Sequence, residues 1–161
     1  MATVYILCGI PASGKSTWGQ QFYKTNPHIK YISRDDIRFS IIKPEEEYFS
    51  HEDEVFYQFV KNIAKSLLEG VDVIADATHL NRFSRMKLID AIDKYTQNYD
   101  IVFVVFETNL DICLKRNQTR SGRSIVPEEN LKNMYKHFRR PTLGEDFRVK
   151  EIVDVNGNLF Y

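Results

Sequence analysis

Residues Gly9-Ile10-Pro11-Ala12-Ser13-Gly14-Lys15-Ser16 follow the apolar run Val4-Tyr5-Ile6-Leu7-Cys8 and precede a helical pattern; nothing else in the 161 residues constrains the fold as tightly. A strand that turns through two spaced glycines directly into a helix aims successive backbone N–H groups at one spot. The helix adds its positive end there, which makes the turn an anion cradle. The lysine and serine after the second glycine then reach the β and γ phosphates and a magnesium ion respectively. A glycine-rich turn with a solvated lysine is the bland alternative, and it leaves the flanking strand and helix unexplained. The segment therefore predicts a nucleoside triphosphate site made of Gly9, Ile10, Pro11, Ala12, Ser13, Gly14, Lys15, Ser16 and Thr17, with Ser16 as metal ligand.

Hydrophobic periodicity extends this into alternating strands and helices, the order of an α/β fold whose parallel sheet is covered on both faces. The first helix starts near Lys15, turns Trp18 and Phe22 inward and stops before Asn26-Pro27, since the residue preceding a proline is driven from the helical region. A second strand follows at 29–32. The next helix opens at Ser50 with Asp53 as an approximate capping box, buries Phe56, Phe59, Ile63 and Leu67, and ends at Gly70. A third strand covers 71–76, and Phe83, Met86, Ile89 and Ile92 mark the inner face of the helix after it. The nearly continuous apolar run 101–106 reads as the middle of the sheet. Thr108-Asn109-Leu110-Asp111 begins another helix, and the polar, basic stretch 116–126 reads as a mobile lid. A helix then starts at Pro127 and carries Leu131, Met134, Tyr135 and Phe138. Asn156-Gly157 predicts a type I′ turn between strands 151–155 and 159–161.

With 43% hydrophobic residues, 161 residues suffice for one buried core, so residues 1–161 are expected to form a single domain. The 22 basic and 22 acidic residues cancel, and net charge points to neither a nucleic acid nor a membrane. Their distribution says more. Eight Lys or Arg lie between Lys115 and Arg140, while Glu45, Glu46, Glu47, Glu52, Asp53 and Glu54 form an acidic cluster. Cys8 and Cys113 sit among apolar neighbours outside any metal spacing, as suits a reducing cytoplasm. The N-terminus lacks a basic lead and no apolar run approaches a membrane span, so a cytoplasmic location is expected.

Phosphoryl transfer needs a phosphate cradle, a metal, a group to align the nucleophile, and cations over the developing charge. Ligands in parallel sheets bind at the carboxyl ends of strands, where Ser33-Arg34-Asp35-Asp36-Ile37-Arg38 follows the second strand. Asp35 or Asp36 can deprotonate an acceptor hydroxyl, or Asp36 can cap the short helix there. Arg34 and Arg38 can hold an anionic acceptor, or pair with the acidic cluster. Asp76-Ala77-Thr78-His79-Leu80-Asn81 ends the third strand as a loose Walker B feature, in which Asp76 holds magnesium through water or positions the acceptor, unless it or Asn81 caps the next helix. His79 reads as a packing or solvent residue. In or beside the lid, Arg116, Arg120 and Arg123 are the cations available to clamp the phosphates.

Taken in this order, the phosphate loop, Arg34-Asp35-Asp36-Ile37-Arg38, Asp76-Ala77-Thr78-His79-Leu80-Asn81, and Lys115-Arg116-Asn117 with Val126-Pro127 resemble the kinase module of phage and bacterial polynucleotide kinases. The resemblance covers nearly the whole chain. It implies that Asp35 activates a 5′-hydroxyl, Arg38 contacts the phosphate beside the acceptor nucleoside, and Lys15 and Arg120 stabilise the transferring phosphoryl group, with Arg116 as a second lid cation. It implies acceptor binding by Arg34, Asp35, Arg38, Asp76 and Thr78, a donor site that includes Arg116, Arg120 and Arg123, ATP as donor, Mg2+ as the ion, and 5′ ends of DNA or RNA as substrate. Two departures are visible: the lid is slightly longer than the phage pattern, and an Asp-x-Asp-Gly phosphatase motif is missing, so end-healing is expected to be limited to its 5′ half. A homo-oligomer and a separate phosphatase or ligase partner stay open. So do two other readings: a P-loop kinase for a small hydroxylated metabolite, nucleoside or modified base, and a nucleotide switch without phosphotransfer, which leaves Asp35 without a task.

Overall fold

The computed structural model describes residues 1–122 and 125–155. Five parallel strands form one sheet in the order β2-β3-β1-β4-β5: β1 (Thr3–Cys8), β2 (Lys30–Ser33), β3 (Val73–Asp76), β4 (Asp100–Val105) and β5 (Val149–Asp154). The helices are α1 (Lys15–Thr25), α2 (Arg34–Ile41), α3 (Glu52–Leu68), α4 (Arg82–Asp93), α5 (Leu110–Gln118) and α6 (Glu128–His137). β1, rather than the 101–106 run, is the centre of the sheet. Both β1 and β4 are paired on two edges and buried on both faces, so apolar continuity alone does not rank them. The predicted turn at Asn156-Gly157 and the strand after it lie outside the described residues.

Alternating side chains of the strands feed two cores. On one face Val4, Ile6, Cys8, Ala75, Ile101 and Phe103 pack against Phe59 and Ile63 of α3 and Leu88, Ile89 and Ile92 of α4. On the other, Leu7, Ile74, Val102 and Val104 meet Trp18 and Phe22 of α1, whose rings stack at 4.9 Å. A third cluster joins Ile10 and Ala12 of the phosphate loop to Cys113 of α5, Val126, and Leu131 of α6. The phosphate loop is thus packed on its outer side as well.

Several local expectations shift, each for a stated reason. Ser50 and Asp53 make no capping box, because Ser50 Oγ donates to Glu47 O at 2.7 Å and α3 begins only at Glu52. Asp36 does not cap α2; Ser33 does, accepting from Asp36 N at 3.2 Å. Asn81 caps α4 in a reciprocal box with Ser84. On α4 Ile89 and Ile92 are buried and Met86 packs on the core, but Phe83 is 79% exposed and the position two residues on, Arg85, is fully buried. On α6 Leu131 is buried while Tyr135 faces solvent. Finally, α5 runs through Gln118, so Arg116 belongs to a helix and only the chain beyond it to the lid.

A buried arginine is tolerated only where every donor has an acceptor. Arg85 Nε and Nη2 form a two-pronged pair with Glu145 at 2.9 and 3.0 Å, and Nη1 donates to His79 O and Arg139 O, both at 3.0 Å. This ties the loop after β3 to the segment following α6. Removing one partner strands a charge, so Glu145→Ala is expected to lower unfolding free energy by about 3–5 kcal/mol. Urea denaturation of the variant beside the parent measures it.

Candidate active site

The phosphate loop leaves the carboxyl end of β1 through Ala12 (φ 66°) and Gly14 (φ 103°), left-handed positions that curl the chain before α1 begins at Lys15. Lys15 is buried, and its Nζ donates to Gly9 O at 2.9 Å and Ile10 O at 2.8 Å. Burial holds this ammonium below the usual lysine range, against the pull of Asp76 and Asp35. Ser13 Oγ is buried in the same turn with no hydrogen-bond partner among the described residues. A cation stripped of water and an unsatisfied hydroxyl in one curl fit an incoming phosphate.

Asp76, at the end of β3, receives two hydroxyls on Oδ2: Ser16 Oγ at 3.1 Å, and the Tyr31 phenol in a very short bond. Tyr31 gets there by crossing α1 at Gly19, where a Cβ would lie 2.6 Å from the ring. Burial, and then the Asp76 carboxylate, push the Tyr31 phenol well above its ordinary range, so it keeps its proton and donates. Asp76, read as holding magnesium through water or positioning the acceptor, thus lies beside Ser16. No group of three or more His, Cys, Asp or Glu that could hold a metal occurs among the described residues. One hydroxyl and one carboxylate suit a hard cation that keeps its waters and takes phosphate oxygens, as magnesium does. Thr78 follows, its carbonyl accepting from Gly9 N at 2.9 Å.

The opposite wall is α2 with the start of α3. Arg38 is buried; its Nε and Nη2 bond Glu52 at 2.8 and 2.7 Å, while Nη1 bonds the Tyr48 hydroxyl at 2.8 Å and Asp35 Oδ1. Arg34 Nη2 also reaches Glu52, at 3.1 Å. Both arginines pair with the acidic cluster through its member Glu52. Burial works against the Arg38 charge, but the Glu52 bond and the neighbouring Tyr48 and Asp35 outweigh it and raise its pKa; burial, helped by the Arg38 charge, pulls Arg34 down against the pull of Glu52. Tyr48 in turn donates to Asp35 Oδ1. The bonds from Arg38 and Tyr48 to Asp35 thus fall on one oxygen, and the carboxylate is half exposed. Burial, then Asp35 and Asp76, raise the Asp36 carboxyl.

From the lid side, Arg116 Nη1 donates to Ala12 O of the phosphate loop at 3.3 Å. Arg120 lines the cavity, close enough for its charge to weigh on Lys15. Arg123 lies outside the described residues. Asn117 and Val126 exchange two buried hydrogen bonds, Nδ2 to O at 2.7 Å and N to Oδ1 at 3.0 Å, so the two segments singled out together in the sequence are bound to each other. A single cavity of about 540 Å³ unites Pro11, Lys15, Ser16, Arg34, Asp35, Arg38, Asp76, Thr78 and Arg120.

A family model described as an AAA domain matches residues 4–141. The chain is a P-loop kinase domain of this family. The kinase is 30% identical over 141 residues to L-seryl-tRNA(Sec) kinase of Methanococcus maripaludis, across 84% of this chain and 52% of that protein. It is 24% identical over 176 residues to a bifunctional polynucleotide kinase/RNA ligase of Autographa californica nuclear polyhedrosis virus, across 96% of this chain and 24% of that protein. A solved chain of the Pnkp1/Rnl/Hen1 RNA repair complex superposes with a TM-score of 0.72 at 24% identity, over 84% of this chain and 43% of that one, and shares its fold. The chain spans about half the length of the first relative and about a quarter of the second. No helix among the described residues is long and apolar enough to cross a membrane.

Sequence reasoning missed Tyr31, Tyr48, Phe49 and Glu52 as parts of the kinase's site. Tyrosines and a phenylalanine carry no spacing signal; Glu52 was visible only as one acid among six. His79, by contrast, is the packing residue it resembles. Its Nδ1 faces Leu7 O at 2.6 Å and so carries the proton, Nε2 has no partner among the described residues, and burial pushes its pKa down to about 3. Between that value and the ordinary 6.5 the unfolded chain binds a proton that the fold refuses, so stability falls as pH drops through this window. The slope from His79 reaches about 1.4 kcal/mol per pH unit. His79→Asn, which tolerates the backbone φ of 41°, is expected to flatten the fall when urea midpoints at pH 7 and pH 5 are compared.

Proposed function

We propose that this kinase transfers the γ-phosphate of ATP to the 5′-hydroxyl end of DNA or RNA. The observation that carries the reading is Asp35: a half-exposed carboxylate bonded through one oxygen, beside a buried guanidinium, in the same cavity as Lys15 and Ser16. A carboxylate so placed takes the acceptor proton while the hydroxyl oxygen bonds to the γ phosphorus and the bond to the β–γ bridging oxygen breaks, leaving ADP. Lys15, together with Arg116 and Arg120 from the lid side, balances the charge that builds on the transferring group. Glu52 holds Arg38 by Nε and Nη2 while Asp35 and Tyr48 take Nη1, and exchanging one of those Nη1 bonds would let the guanidinium meet a phosphate next to the acceptor nucleoside.

Ser16 and Asp76 would hold magnesium, which when bound neutralises charge between the β and γ phosphates. Tyr31 keeps the Asp76 carboxylate turned to Ser16, and Thr78 braces the first residue of the loop. Similarity to the viral polynucleotide kinase/RNA ligase and to a chain of the RNA repair complex supports a nucleic-acid acceptor. The seryl-tRNA kinase relative keeps a hydroxyl carried on RNA as the rival acceptor.

Magnesium and γ-labelled ATP, offered with a 5′-hydroxyl oligonucleotide, a 3′-nucleoside monophosphate or a free nucleoside, test the assignment. Label is expected on the oligonucleotide, with the rate lowered at least about 100-fold in Asp35→Asn and ATP binding retained. Arg38→Ala is expected to lose activity on the 3′-phosphorylated acceptors. No label on the oligonucleotide, with ATP still bound, would overturn the proposal.

A further inference from the structure

Arg38 does more than bond Asp35 and Glu52. Its guanidinium lies 4.3 Å from the centre of the Tyr48 ring and 5.5 Å from that of Phe49. Tyr48 meets Phe49 edge-to-face at 4.5 Å and Phe39 edge-to-face at 5.9 Å, so three rings and a cation form one assembly in the cavity wall. Phe49 is the open member of the three, 50% exposed, and belongs to none of the hydrophobic cores. Other outward aromatic rings, Phe83 and Phe147, lie away from the cavity. The segment carrying Phe49 is held by its own bonds: Lys43 N to Glu46 Oε1 at 2.8 Å, Ser50 Oγ to Glu47 O, and His51 against Glu46. A large ring held half-bare in a cavity wall marks a surface for a ligand rather than a packing defect.

We propose that Phe49, backed by Tyr48 and Phe39, is a stacking shelf for the base of the acceptor's terminal nucleoside. The proposal rests on the polynucleotide reading of the site and names what that site recognises beyond the hydroxyl. Contacts run in order from the Asp35 carboxylate through the Tyr48 hydroxyl and ring to Phe49, with Arg38 touching all three. A carboxylate for a hydroxyl, a guanidinium for a phosphate and a flat ring for a π face match the three parts of a nucleotide end. Every base has a π face, so the shelf selects for the presence of a base and tolerates its identity.

The test compares two 5′-hydroxyl oligonucleotides that differ only in an abasic 5′-terminal residue, using the whole chain with magnesium and ATP. The parent is expected to show a KM about tenfold or more higher for the abasic acceptor. Phe49→Leu keeps apolar volume without a π face and is expected to bring the KM of the ordinary acceptor up to the abasic value, with the KM for ATP unchanged. Phe49→Trp is expected to restore the difference, which also answers any effect of the leucine on folding. Equal KM values for both acceptors in the parent, or discrimination that survives in Phe49→Leu, overturns the shelf while leaving the polynucleotide assignment standing. Failure of the parent to phosphorylate either oligonucleotide overturns that assignment, and the shelf's occupant with it.

Discussion

Strand β1 is hydrogen-bonded along both edges and buried on both faces, so its carboxyl end is rigidly placed at the centre of the sheet. The phosphate loop begins there. Because neighbours β3 and β4 run parallel to it, their ends open on the same side, and Asp76 meets Ser16 across a distance of 60 residues in sequence. Parallel pairing thus converts three remote segments into one rim. The third apolar cluster, around Ile10, Cys113 and Leu131, then fixes the lid's two helices to that same loop.

Charge is handled by the same economy. Arg85 and Arg38 are both withdrawn from water, each against a glutamate in a two-pronged pair, but their surroundings differ. Arg85 has every donor group engaged by the described protein atoms around it and serves as a strut between α4 and the segment after α6. Arg38 turns one edge to the half-exposed Asp35 at a cavity wall. An arginine held by Glu52 on one side and by Asp35 and Tyr48 on the other is oriented before any ligand arrives, which spares the entropy of ordering it later.

What could be read from the chain beforehand was what is local. The phosphate loop, the stop of α1 before Pro27, the Asn109 cap of α5 and the alternation of strand and helix rest on neighbouring residues, and they stand in the structure. Strand edges moved by one or two residues, as with β2 and β3, because pairing partners rather than propensity set them. The inward face of α4 was misjudged at Phe83 since apolar periodicity passes over an arginine, and only Glu145, 60 residues on, explains why Arg85 goes in. The site followed the same rule. Residues inside motifs, Lys15, Ser16, Asp35, Arg38 and Asp76, lie around one cavity, whereas Tyr31 and Tyr48, which orient two of the carboxylates, carry no mark in sequence.

The exchange of hydrogen bonds between Asn117 and Val126 makes the chain between them leave and return at one point. Arg120 stands three residues past Asn117, so the distance it can lie from the phosphate loop is set by that short tether and not by the length of chain beyond it.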